Sequence, residues 1–152
     1  MSLPAPAKPA VGQPTATNIC LLVRQVRDGL AQRIEHDLAE NGYPINLSQF
    51  LVLRKLDLLG PMSAIDLARA IDHNPGAMTR LLDRLETMGY LRRTPHAGDR
   101  RALRIELTDG GHALSNELRA TGERTAEYAL RTLTPDEREH FVALLERVHA
   151  SL

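Results

Sequence analysis

Asn74, Gly76, Ala77, Thr79, Arg80 and Arg84 share one short stretch with an apolar repeat at Met78, Leu81, Leu82, Leu85 and Met88. That repeat is helical, so the polar and small residues fall off its buried face. Arg80 and Arg84 are four apart and share one side. A guanidinium can give two parallel hydrogen bonds to a guanine edge, and a threonine can meet a thymine methyl or a phosphate. Gly76 and Ala77 are small enough for close approach to a base edge or sugar. Asn74 suits an N-cap, and Pro75 suits the first helical position. The free N-terminus of this helix favours a phosphate, as would that of a preceding helix opening at Ser63. A second group is His96-Ala97-Gly98-Asp99-Arg100-Arg101, flanked by Arg92, Arg93 and Arg104, which can reach phosphates. Arginines on a turn can enter a minor groove, where negative potential attracts guanidinium. Asp99 beside them suits an ion pair that orients one arginine, worth about 0–1 kcal/mol at a solvated tip.

The overall charge hides this. The chain has 152 residues, 19 Lys+Arg and 19 Asp+Glu, and a formal net charge of zero. Charge acts locally, over about a Debye length. Residues 1–68 are balanced; residues 69–104 hold eight Arg against four acids; residues 105–152 hold five Arg against nine acids. A basic block of net +4 is therefore offset by an acidic C-terminal third of net −4.

Other chemistry is thinly represented. The single Cys excludes a disulfide framework within the chain and a Cys-cluster metal site. His36, His112 and Cys20 match no ligand spacing, so no metal is expected. No Gly-rich phosphate loop, nucleophile elbow or HExxH helix occurs, so neither an enzyme nor a cofactor is expected. No apolar run reaches the roughly 18 residues of a membrane span. The N-terminus lacks a signal-peptide core. A cytoplasmic protein is the expectation.

The elements that position these residues can be read from period and punctuation. Residues 1–16 hold four prolines and read as a disordered Pro/Ala-rich tail. From Thr17, Ile19, Leu22, Val23, Val26, Leu30, Ile34 and Leu38 form one apolar stripe, and the helix stops near Glu40 before Asn41-Gly42. A helix this long with an apolar stripe invites a partner helix. Ser48 is expected to cap a second helix, ending at Gly60-Pro61, and Ser63 a short third one. The fourth spans about 75–88. Residues 90–94 and 102–107 read as two strands joined by turn formers. Thr108 caps a fifth helix to about 131, and Thr134-Pro135-Asp136-Glu137 opens a sixth. The expected fold is mainly α with a small β-hairpin wing: six helices around a winged helix-turn-helix. It divides into 17–45, an N-terminal helix that invites a partner; 46–107, the winged helix-turn-helix region suited to DNA; and 108–152, the C-terminal helices.

The run Leu81-Leu82-Asp83-Arg84-Leu85-Glu86-x-Met88-Gly89-Tyr90-Leu91-x-Arg93, then Asp99-Arg100-Arg101, then Leu107-Thr108-Asp109-x-Gly111, resembles the multiple-antibiotic-resistance regulator (MarR) family. The resemblance covers about residues 17–150. It implies a homodimeric bacterial transcription regulator, usually a repressor, released from DNA by a small molecule or by oxidation. It makes Arg80 a base-contacting residue and Arg100 or Arg101 the minor-groove arginine, with Asp99 as brace. Ser63 stands where the family often meets phosphate. The implied dimer interface joins the N-terminal helix to the last two, which makes 17–45 and 108–152 the dimerisation helices. Here that means Ile19, Leu22, Val23, Val26, Leu118, Tyr128, Phe141, Leu144, Leu145 and Val148. Two recognition helices would then address an inverted repeat with half-sites about 34–36 Å apart.

The expected effector is a small aromatic or lipophilic molecule in a cleft between dimer helices and reading head. Arg24, Arg27, His36 and Arg54 are its possible anchors. One alternative is redox sensing. Family members that sense organic peroxides carry a reactive Cys near the position of Cys20, with tyrosines holding the thiolate. Here Tyr43 is the nearby tyrosine, and Leu47 stands where another would align. Cys is also among the most buried residue types, so Cys20 as a small packing group is the competing reading. A further alternative is a winged helix that binds protein rather than double-stranded DNA.

Overall fold

The computed structural model describes the backbone of residues 16–96 and 99–152, and the side chains of residues 18–95 and 103–152. The expected tail lies outside them, save that Ala16 already belongs to the first helix. In chain order the elements are α1 (Ala16–Glu40), α2 (Leu47–Leu59), α3 (Ala64–Ala70), α4 (Pro75–Thr87), β1 (Leu91–His96), β2 (Asp99–Leu107), α5 (Asp109–Leu130) and α6 (Pro135–Ala150). This is the expected mostly helical fold with one antiparallel hairpin.

Side-chain caps set most of the helix starts. Ser48 does not cap α2. Asn46 does, with its Oδ1 accepting from the Gln49 N–H while Gln49 Oε1 accepts from the Asn46 N–H. This reciprocal box satisfies two otherwise orphaned donors. Ser63 caps α3 and Thr108 caps α5. Thr134 and Glu137 close a second box at α6. Between α3 and α4 the chain turns through Asp72, whose φ is +52°. Aspartate tolerates this left-handed region better than most residues.

The core sits under the reading head. Phe50, Val52, Leu53 and Leu56 of α2 pack with Leu67, Met78, Leu82, Leu85, Leu91 and Ile105. The β1–β2 ladder pairs Leu91 with Leu107 and Arg93 with Ile105, and Met62 adds a bridge to Ile105. The sheet is thereby tied to the segment between α2 and α3. Leu38 of α1 and Leu114 and Leu118 of α5 complete the cluster. Leu118 is fully buried within the protomer, which corrects its expected place at a dimer interface. The α5 stripe turns inward there because α2 lies against it.

The ends of the chain are different. Ile19, Leu22, Val23 and Val26 are exposed along α1, and α6 has no buried residue. No helix among the described residues is long and apolar enough to cross a membrane.

Candidate nucleic-acid interface

The entry to α4 is built from the Asn74-Pro75 pair. Asn74 Oδ1 accepts from the Gly76 and Ala77 N–H groups at 2.8 and 3.2 Å. A Cβ on Gly76 would stand 3.1 Å from that oxygen, so the glycine protects the cap as well as leaving room outside. Met78, Leu82 and Leu85 anchor the helix in the core. Asn74, Gly76, Ala77, Thr79, Arg80 and Arg84 are all exposed, as their places off the apolar repeat require. Arg80 and Arg84 have no ion-pair partner among the described residues.

The neighbouring cations are committed. Arg93 is only 23% exposed and pairs with both Asp83 of α4, at 2.6 Å, and Glu86. The expected phosphate contact is thus a strut that holds β1 against α4. Arg92 Nε reaches Glu106 Oε1 across the hairpin at 2.6 Å. Arg104 Nη2 donates to the Pro61 carbonyl oxygen at 2.6 Å, tying β2 to the turn before α3. Neither the Arg93 strut nor the Arg104 tie shows in helical or strand spacing, because both bridge separate elements.

Ser63 is similarly engaged. Its hydroxyl accepts from the Asp66 N–H and donates to Asp66 Oδ2 at 2.7 Å. What α3 leaves for an anion there is backbone N–H rather than the serine hydroxyl. The side chains of Asp99, Arg100 and Arg101 lie outside the described residues.

The effector anchors do not converge. Arg24 and Arg27 both pair with Asp28, and the hydrogen bond from Arg27 holds that carboxyl below its usual range. His36 pairs with Glu40 further along α1. Arg54 faces α5, bonding to Asp57 and to Ser115 Oγ at 3.0 and 3.2 Å. His112, at the start of α5, closes on the same Asp57 at 3.3 Å. An open depression of about 610 Å³ lies instead at the start of α6, among Leu133, Asp136, His140, Phe141 and Leu144.

Cys20 is exposed in the protomer, so the packing reading fails there. Tyr43 lies beyond the far end of α1. Twenty helical residues separate Cys20 from Glu40, a rise of about 30 Å, so one protomer does not bring thiol and phenol together. No group of three or more possible metal ligands occurs among the described residues.

The MarR family model matches residues 45–103, the span from the last turn before α2 into β2. The HTH-type transcriptional regulator PecS of Dickeya dadantii is 36% identical over 113 residues, covering 72% of this chain and 68% of PecS. The chain belongs to the MarR family. It is a MarR-family transcriptional regulator with the winged-helix fold of that family. Mutant MarR from E. coli complexed with operator DNA superposes with a TM-score of 0.72 at 27% identity, over 86% of this chain and 92% of that one. A MarR-family protein from Mycobacterium tuberculosis, in complex with p-aminosalicylic acid, gives 0.73 at 27% identity, over 86% and 98%.

Proposed function

We propose that this MarR-family regulator binds an inverted-repeat operator as a homodimer and acts as a repressor that an aromatic or lipophilic effector releases. The observation that carries the DNA-binding reading is the state of the arginines. Arg92 and Arg93 each have an acidic partner within hydrogen-bond distance. Arg80 and Arg84 share one side of α4, exposed and unpaired among the described residues. A guanidinium presented in that way has all its donors available to a base edge or phosphate. The N–H groups at the start of α4 add a favourable field for phosphate.

The dimer reading rests on the apolar faces that the protomer leaves uncovered. Leu22 and Val23 of α1 and Leu144, Leu145 and Val148 of α6 are 42–60% exposed. Monomeric proteins rarely expose so many large apolar side chains along two helices. The effector reading draws on the M. tuberculosis relative bound to p-aminosalicylic acid. In the protein-binding alternative, unpaired arginines would have no phosphate to meet, so exposure of this pair favours DNA.

Electrophoretic shift of a selected operator duplex against random duplex tests the reading. Arg80→Ala is expected to weaken operator binding by about 1–3 kcal/mol and to relax the preference at one base pair. Arg92→Ala should lower affinity evenly and flatten the salt dependence, because Arg92 engages Glu106 through its Nε and is still 64% exposed, within reach of a phosphate. Equal losses on operator and random DNA for Arg80→Ala would remove it from base reading. No shift with any duplex at low salt would favour a protein partner.

A further inference from the structure

Between α1 and α5 lies an ionic cluster, built on one buried carboxylate with partly exposed arginines, that the DNA-reading surface does not use. Asp37 of α1 is 4% exposed. Its Oδ1 lies 3.2 Å from Arg33 Nε, and its Oδ2 lies 4.0 Å from Arg124 Nε on α5. Arg124 also donates to Thr121 Oγ1 at 3.1 Å. The Arg33 guanidinium stands 4.6 Å from the centre of the Tyr128 ring, and that of Arg131 stands 3.9 Å from it. Arg33 Nε, Asp37 Oδ2 and Thr125 Oγ1 are buried without a hydrogen-bond partner.

Such a cluster is a poor way to gain stability. A buried carboxylate that is incompletely bonded, with its arginine partners partly in solvent, often does no better than apolar residues of the same size. What it offers is direction, since ionic and stacking contacts hold one geometry where aliphatic surfaces slide. Its place on α1 shows what is held. Ile19, Val23, Val26, Leu30, Arg33 and Asp37 succeed one another at steps of four and three. That is one continuous seam with the period of a coiled coil, apolar at its free end and polar where it meets α5. A polar residue at one such position fixes register at some loss of stability.

We infer that Arg33, Asp37 and Arg124 are positioning residues that set the angle of α1 on α5 and thereby the spacing of the two half-sites the dimer accepts. This rests on the dimer and DNA-binding reading above. The lever is long. From Asp37 to Ile19 the helix rises about 27 Å, so a tilt of about five degrees at the cluster moves Ile19 by about 2 Å. Ile19 belongs to the face offered to the partner, and a shift there changes how far apart the two α4 helices stand.

The probe is a duplex selected from a randomised pool by the full wild-type chain. It is rebuilt with its half-sites one or two base pairs closer or further apart. Wild type is expected to lose about tenfold or more in affinity on each rebuilt duplex, because each added base pair also rotates one half-site about the helix axis. The triple variant Arg33→Met, Asp37→Leu, Arg124→Met is expected to remain dimeric by sedimentation, with an undiminished Tm, and to lose less than about threefold across the series. Asp37→Asn, which keeps shape and removes charge, should fall between the two, and it decides the matter if the triple variant does not fold. A purely structural role would weaken all duplexes alike and leave the spacing preference intact; that result overturns the inference. A wild type that binds all spacings equally also overturns it, with the DNA-binding reading left standing. A wild type that shifts no duplex overturns the DNA-binding reading, and the inference falls with it.

Discussion

The reading head and the terminal helices handle their apolar residues in opposite ways. Between Ile45 and Leu107 the chain buries most of its large aliphatic side chains against one another, with Leu58, Leu59, Ile65 and Leu103 left exposed, and only Leu38, Leu114 and Leu118 join the buried core from outside that span. Along α1 and α6 the same kinds of residue point outward. Ile19, Leu22, Val26, Phe141, Leu145 and Val148 are each more than a third exposed. The hydrophobic driving force is the same in both regions, so the difference lies in what each has within reach. The reading head closes on itself through short turns, while α1 and α6 run past the edge of the protomer. One region closes largely within a single chain; the other leaves its apolar faces uncovered.

The contrast can be broken at three points. The largest effect is expected in the closed region. Leu53→Ala removes a fully buried side chain at the centre of α2 and should cost about 2–5 kcal/mol in denaturant unfolding, at any protein concentration. If the loss depended on concentration, the reading head would not be complete within one chain. Next, Leu145→Glu puts a charge on the open face of α6. It should weaken self-association by about a hundredfold, roughly 2.7 kcal/mol, in analytical ultracentrifugation. Circular dichroism should show the reading head still folded. Unchanged association would mean that α6 is covered by something other than a second copy. The smallest effect sharpens the division inside the reading head. Arg93→Ala removes the strut between β1 and α4 and should cost about 1 kcal/mol of stability, since the pairs are partly solvated. The salt slope of DNA binding should stay the same, in contrast to Arg92→Ala, because Arg93 is 23% exposed with both terminal nitrogens on carboxylates, whereas Arg92 is 64% exposed and engages Glu106 through its Nε.

The helices and hairpin were legible because each has both a period and a boundary signal. Thr134 with Glu137 marks the start of α6, and Asn74-Pro75 marks α4, as closely as the backbone does. At α2 two good cap residues compete, Asn46 and Ser48. Gln49 decides between them, because it stands at the third position from Asn46 and can reach back to its N–H. The roles of individual side chains were harder to see. The partners of Arg93 lie seven and ten residues back, across the turn at Gly89, where no period links them. Leu118 and Tyr128 occupy the same α5 stripe, yet one is buried and the other half exposed. A stripe shows which residues want cover but not whether this chain or another supplies it. The Asp37 cluster was invisible for a related reason: an aspartate on a long helix reads as solvent-facing until α5 is laid over it.

One small residue has a mechanical consequence. A Cβ on Gly111 would lie 1.9 Å from the Tyr90 carbonyl oxygen, inside any permitted contact. That close approach lets Thr108 donate from its N–H to the Tyr90 oxygen and from its hydroxyl to the Gly89 oxygen, at 3.1 and 2.6 Å. The exit of the recognition helix and the entry of α5 are thus riveted together, backbone on backbone. A coupling of this kind has no backlash. Movement of the first turn of α5 is passed to the segment that ends α4 through these backbone contacts rather than through side-chain rearrangement, so that turn works as a crankpin rather than a hinge.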